Sequence, residues 1–295
     1  MRVAIIGATG FLGQVMCRQL HEREAEVWAY DVSEPAEGVA AREFRRLDII
    51  ADVLALPAAI DAVYYLAQSP FYRQFPDRAE HLFGVNSLGA VKAAQAACAA
   101  GAKFFCYAST GNVYAPSLGP LVETDAVRRD NPYALSKLAA EESLRLFSPW
   151  TTVVAARLFG LFGPGQKNML PAILQNKVQT GGSVLLEPAP GESPDPEGLT
   201  ISFCYVDDTA RCLHQLALRA LRGEPLPPVV NVAGPEPISV RRFASTLGRL
   251  LGKEPNFARA TTTRAWDLIA DLGLLRSLVE PQFLPFEEAA ARAYA

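Results

Sequence analysis

Tyr133 and Lys137 stand four residues apart in the stretch "NPYALSKLAAEESLRLF". On a helix, residues with that spacing share a face. A free phenol has a pKa of about 10 and is a poor base at neutral pH. A neighbouring ammonium favours the phenolate and lowers that value. A tyrosine tuned in this way can take the proton of an alcohol while a hydride leaves the carbon. Upstream, "AKFFCYAST" ends in Ser109 and Thr110, and either hydroxyl could hold the same substrate oxygen. Taken alone, Tyr133 is more often a helix-surface aromatic. The surrounding elements decide between the two.

The chain opens with "VAIIG" (Val3 to Gly7), a short apolar run that suits a strand buried on both faces. "GATGFLG" follows, then "QVMCRQLHER" with helical periodicity, then "AEVWAYD" as a second strand. This is one βαβ unit in about thirty residues, the usual size of that motif. Glycines 7, 10 and 13 fall in the strand-to-helix turn. Gly7 allows the tight turn, Gly10 lets the backbone approach a pyrophosphate, and Gly13 lets the helix pack against the strand. The helix N-terminus then offers free N–H groups and a partial positive charge to the anion. Asp31 ends the second strand, where a carboxylate accepts from an adenosine 2′-OH and repels a 2′-phosphate. The expected cofactor is therefore NAD rather than NADP.

The alternation continues. "REFRRLDI" reads as a third strand ending at Asp48, "DAVYYLA" (Asp61 to Ala67) as a fourth, "AKFFCYAST" as a fifth and "TTVVAARLF" as a sixth. Between them lie a small-residue helix, "VNSLGAVKAAQAACAAG", ending at Gly101, and the Tyr133 helix with Pro132 in its first turn. The pattern predicts an α/β fold: a Rossmann-type doubly wound parallel sheet with a smaller C-terminal substrate-binding lobe. Residues 1–165 are expected to be mainly the NAD-binding domain and 166–295 mainly the lobe, with segments such as 200–235 returning to the sheet. "PAPGESPDPEG" (Pro188 to Gly198) reads as an exposed flexible loop, and the stretch containing Pro255, Pro281 and Pro285 as irregular.

Composition narrows the class. The 295 residues are half hydrophobic and 20% charged, with a net charge of -3 and a pI near 5.7. This is ordinary globular composition without the basic footprint of a nucleic-acid binder. The densest basic cluster, "AREFRRLD", reads as a solvated edge. Five cysteines without CxxC spacing suit a reducing compartment. Three histidines without ligand spacing give no reason to expect a metal. Neither a signal peptide nor a bilayer-spanning run is expected, and the protein reads as soluble and cytoplasmic.

In sequence the chain resembles the extended short-chain dehydrogenases/reductases, the NAD-dependent epimerase/dehydratase family. The resemblance rests on "GATGFLG", Asp31, "LDI", "YYLAQ", "VNSLGA", "YASTGNVY", "PYALSK", "ARLFGLFGPGQ", "FCYVDD" and "VVNVAGPEPISV" in that order. It implies a catalytic set of Thr110, Tyr133 and Lys137, with Ser109 structural. It also implies a cofactor site of Gly7, Thr9, Gly10, Phe11, Leu12, Gly13, Asp31, Asp48, Ile49, Leu66, Ala67, Gln68 and Asn86, together with Tyr133 and Lys137. Many relatives are homodimers, which points to the helices around Ala90 to Ala100 and Ala134 to Leu146.

The departures matter as much. Dehydratases of the family resemble "STDEVY", whereas this chain has "STGNVY"; Gly111 has no acid and Asn112 cannot transfer a proton as a glutamate does. Dehydration is thereby disfavoured. Gly160 replaces an asparagine that grips substrate in relatives with "RxFNxYGP". Ile201 replaces an arginine that pairs with a substrate diphosphate, a job for which a guanidinium fork is hard to replace. Two readings follow: Lys167, Lys177 or Arg211 compensates from elsewhere, or the substrate carries no diphosphate. Three readings stay open: an epimerase or oxidoreductase acting on a sugar or nucleotide-sugar hydroxyl, a dehydrogenase of a non-nucleotide alcohol, and a catalytically silent NAD-binding protein.

Overall fold

The computed structural model describes residues 1–35, 38–192 and 196–295. Seven strands form its main sheet: β1 (Arg2–Ile6), β2 (Glu26–Asp31), β3 (Glu43–Arg46), β4 (Ala62–Tyr65), β5 (Phe104–Thr110), β6 (Thr152–Leu158) and β7 (Val229–Val232). Every pairing is parallel and the order is β7-β6-β5-β4-β1-β2-β3. The chain runs outward from β1 in one direction, then returns to place β4 on the other side of β1. That reversal opens a crevice at the C-terminal ends of β1 and β4, the usual ligand position in such sheets.

The central strands are apolar on both faces because helices cover both. Val3, Ile5, Tyr64, Phe104 and Cys106 face one core; Ala4, Ile6, Val63, Tyr65, Phe105 and Tyr107 face the other. Helices α1 (Phe11–Glu22) and α4 (Pro132–Arg145), with those between them, are distributed over these faces. The short α2 (Ala79–Phe83) leads into α3 (Ala90–Ala99) through a π-helical stretch, Gly84–Gly89, that the periodicity did not predict. The hydroxyls of Tyr65 and Tyr107 donate to the carbonyls of Val85 and Asn86 at 2.6 and 2.7 Å, inside this stretch. Ala90, Ala93, Ala94 and Ala97 are fully buried in the core of their own chain. The alanine-rich face of α3 therefore packs on this molecule's sheet and does not mark a surface for a second copy.

Helix α4 (Pro132–Arg145) begins as its sequence dictates. Pro132 occupies the first helical position, and the Asn131 side chain accepts from Ala134 N at 3.0 Å. β3 is an edge strand that stops at Arg46, two residues short of the expected Asp48. β7 lies in the second half of the chain yet pairs with β6.

The rest of that half stands over the sheet. Helices α5 (Leu170–Thr180), α6 (Val206–Leu221) and α7 (Val240–Leu251) accompany three short ladders. Ser183–Leu186 runs parallel to Asn256–Arg259, Thr200–Ile201 antiparallel to Ile238–Ser239, and Leu161–Phe162 parallel to Cys204–Tyr205. The tail is more ordered than expected: Gly273–Leu278 and Phe286–Tyr294 are helical, with Pro285 standing just before the second. The loop expected at Pro188 to Gly198 falls partly on residues 193–195, outside the described residues. Its described part is anchored, because the Glu192 carboxylate accepts from Glu197 N at 2.8 Å and pairs with Arg264 at 2.8 Å. Among the described residues no helix is long and apolar enough to cross a membrane.

Candidate active site

A cleft of about 1600 Å³ runs along the C-terminal ends of the strands. One half begins at the glycine turn. Gly7 has φ +91°, and a Cβ there would sit 2.6 Å from Ala67 N. A Cβ on Gly13 would sit 2.0 Å from the Gly7 carbonyl oxygen, so this helix can approach β1 only with glycine at that position. Gly10 caps α1 without a side-chain hydrogen bond, which leaves the first N–H groups of the helix free for an anion. Asp31 stands beside this turn. Its two oxygens accept from Thr9 N at 3.0 Å and Ser33 N at 3.1 Å, and each keeps a lone pair for a further donor. Thr9, Phe11, Leu12, Asp48, Ile49, Leu66, Ala67 and Gln68 also line the cleft.

Asn86 does not line the cleft. It is fully buried; its side chain accepts from Ser69 N at 3.0 Å and donates to Ser136 Oγ at 2.9 Å. It ties the loop after β4 to α4, and the structure does not bring it to the cleft with the other expected cofactor residues. Gly13 likewise lies behind the turn and acts through packing.

At the middle of the cleft, β5 and α4 present the hydroxyls. Tyr133 lies in the first turn of α4, where the positive end of the helix dipole favours an anion. Its hydroxyl donates to Gln68 Oε1 at 2.8 Å. Burial pushes its pKa above the usual tyrosine value, the Thr110 hydroxyl lowers it, and neighbouring Tyr72 adds to the rise. The ammonium of Lys137 donates to Ala108 O at 2.8 Å and lies 5.0 Å from the Tyr107 ring centre. Burial pulls its pKa down to about 7 against the opposing pull of Glu141. Thr110 Oγ1 accepts from Asn112 N and Nδ2, both at 3.2 Å, and its own proton remains to be donated. Ser109, by contrast, spends its hydroxyl on the buried Glu141 carboxylate. A side chain at Gly111 would meet the Phe159 ring at 2.9 Å, so the acid of dehydratase-type sequences has no room there.

Two features escaped the sequence reading. Behind the hydroxyls, Arg157 of β6 holds Glu141 of α4 through Nε at 3.1 Å and Nη2 at 2.7 Å, both side chains nearly inaccessible. Arg157 also lies over the Tyr114 ring, whose hydroxyl donates to Asn231 at 2.6 Å. An i,i+4 glutamate one turn beyond Lys137 was the available signal. The second feature is Tyr72, whose ring lies 5.3 Å from that of Tyr133 and whose hydroxyl reaches Met169 Sδ at 3.7 Å. Nothing in its sequence context marked it.

Residues 3–233 match the NAD dependent epimerase/dehydratase family. The chain belongs to that family. Its members are enzymes that depend on NAD, and the strand order and glycine turn above are this family's Rossmann architecture. The UDP-glucose 4-epimerase of Streptomyces lividans is 25% identical over 269 residues, spanning 84% of this chain and 80% of the relative. The GDP-6-deoxy-D-mannose reductase of Pseudomonas aeruginosa is 33% identical over 182 residues, 57% of this chain and 54% of the relative. Among solved structures, MoeE5 in complex with UDP-glucose and NAD superposes with a TM-score of 0.79 at 25% identity, covering all of this chain and 97% of the other. Epimerases and reductases of nucleotide sugars thus both stand among the relatives of this family member.

Proposed function

We propose that the protein is an NAD-dependent epimerase or oxidoreductase that works at a hydroxyl-bearing carbon of a sugar-type substrate, with Tyr133 as the base. The observation that carries this is the placement of the Tyr133 and Thr110 hydroxyls at the point where the glycine-turn half of the cleft meets its apolar half. The residues of the first half fit a dinucleotide. The uncapped N-terminus of α1 would take the pyrophosphate, Asp31 the adenosine ribose, Asp48 and Ile49 the adenine edge, and Lys137 the nicotinamide end. NAD, when bound, supplies the hydride acceptor and, in its oxidised form, a positive ring.

The chain's own residues handle the proton. Tyr133 Oη takes it from, or returns it to, the substrate oxygen, and Thr110 donates a hydrogen bond to that same oxygen. In the free protein the phenol is protonated, and burial, with a smaller contribution from Tyr72, raises its pKa further. The positive end of α4, the Lys137 ammonium and a cationic ring in the cleft all oppose that effect. Gln68, which accepts from the phenol in the free protein, holds the ring in place until substrate arrives.

Residues 1–165 carry the cofactor in this reading, and 166–295 supply the opposite wall, apart from β7 and α6. Homodimerisation through the region of α3 and α4 is retained on its outward side, where Leu88, in the π-helical stretch before α3, and Leu146, just after α4, are exposed. Light scattering at micromolar concentration checks that association. A cytoplasmic location accords with the five free cysteines. The experiment for the reaction itself is a substrate screen followed at the NADH absorbance together with product analysis. Net absorbance change identifies a dehydrogenase; a new epimer without it identifies an epimerase. No NAD binding and no conversion of any sugar-type substrate would sink the reading.

A further inference from the structure

Beyond Tyr133 the cleft changes character. Its far half is walled by Tyr72, Met169, Leu170, Ile201, Phe203 and Trp266. Ile201 is held deep in this wall by pairing with Ile238 on one side and a bridge to Leu268 on the other. A Cβ on Gly160 would sit 2.7 Å from both Ile201 and Phe203. These two apolar side chains fill the space that a polar side chain at 160 would need.

Several of the positive charges near this half are engaged or stand at its rim. Arg128 holds Asp130 with both arms of its guanidinium, Nε at 2.8 Å and Nη2 at 3.2 Å. Arg73 lies over the Tyr72 ring, 5.0 Å from its centre, on the exposed rim. Arg264, behind Trp266, donates to Asp267 at 2.9 Å, to Glu192 at 2.8 Å and to the Glu187 carbonyl at 2.9 Å, so two carboxylates neutralise it. His81 shares a 2.9 Å hydrogen bond with Ser69. The N-terminus of α5 also faces this half, but Pro171 removes one of its free N–H groups.

A diphosphate seated against Ile201 and Phe203 would have to leave water for an apolar wall that has no guanidinium fork at position 201 to receive it. Burying an anion in that way is strongly unfavourable. A ring with an apolar face and one or more hydroxyls meets no such penalty, because its C–H face can lie on Tyr72 or Trp266 while Thr110 and Tyr133 hold the oxygen.

We propose that the substrate of this site is an uncharged ring alcohol, or the corresponding ketone, that carries no nucleoside diphosphate. The inference rests on the NAD-dependent reading above and narrows its substrate class. Oxidation transfers a hydride from the carbinol carbon to NAD+ and the hydroxyl proton to Tyr133, which leaves a C=O group and NADH; reduction is the reverse.

The test uses the full-length protein loaded with NAD or NADH. Binding of UDP is measured by calorimetry. Turnover is followed at the NADH absorbance with free hexoses, cyclic polyols, alicyclic alcohols and their ketones in one arm and with UDP-glucose and UDP-galactose in the other, products being checked for epimers. The expected result is conversion of a neutral ring substrate, with no inhibition by UDP at about 1 mM. Ile201→Arg should then bind UDP at least about tenfold more tightly than the unmodified protein, with NAD affinity unchanged. Micromolar UDP binding by the unmodified protein, or conversion of a UDP-hexose, overturns the inference while leaving the NAD-dependent reading intact. Failure to bind NAD at all removes the reading on which it rests.

Discussion

Lys137 is almost completely buried and its pKa is drawn down to about 7, whereas the unfolded chain would hold it near the ordinary lysine value of 10.5. Between those two values the folded protein has released a proton that the unfolded chain keeps. The free protein should therefore become more stable as pH rises from about 7 towards 10.5, by up to about 1.4 kcal/mol per pH unit from this group. Lys137→Met should flatten that slope, which chemical denaturation at a series of pH values reads directly. An unchanged slope would mean that the ammonium is better solvated than its surroundings imply. Asp31 makes a second residue-level case. Its lone pairs beyond Thr9 and Ser33 suit a ribose diol and oppose a 2′-phosphate, so NAD should bind more tightly than NADP. Asp31→Ala should narrow that gap, and equal affinities in the unmodified protein would contradict the assignment. Both residues could be singled out in sequence because each is a residue type at a fixed offset from a turn or helix start. The protonation state of Lys137 was not legible, because it depends on burial that no local spacing reveals.

At the scale of elements, helix α4 is joined to β5 and β6 by the Glu141–Arg157 pair. Removing one partner of a buried pair leaves the other charge uncompensated. Glu141→Gln should cost about 3–5 kcal/mol and lower the Tm by roughly 10 °C. The same change takes away the negative charge that supports the Lys137 ammonium, so turnover should fall as well. Wild-type Tm and activity in Glu141→Gln would show that the pair merely fills space. Most strands and helices could be read from apolar runs and caps, as with Asn131 and Pro132 before Tyr133. What escaped was set by contacts distant in sequence. The π-helical turn carries carbonyls bonded by two tyrosines from other strands. The alanine face of α3 turned inward because the sheet beside it carries large rings. Asn86 was drawn into the wall by Ser69 and Ser136. Its motif survives, but its contact is with protein.

Across the whole molecule, the order of the strands opens a single cleft with two chemically different halves. The first is a glycine turn with an uncapped helix and a carboxylate; the second is an apolar wall contributed largely by the later part of the chain. The first half was legible because glycines and an acid after strands have few alternatives. The second was only hinted at by Gly160 and Ile201, since the residues that wall it come from four separate segments. The two halves meet at Tyr133, and the account stands on what its hydroxyl does there. The most direct measurement compares the unmodified protein with Tyr133→Phe in two assays, NAD binding by calorimetry and turnover of a substrate identified by the screen. Phenylalanine keeps the ring beside Tyr72 and deletes only the oxygen. The account predicts NAD affinity within a factor of about two and turnover lower by about 10²–10⁴-fold. Near-full turnover in Tyr133→Phe would contradict it and leave the tyrosine as part of a helix face.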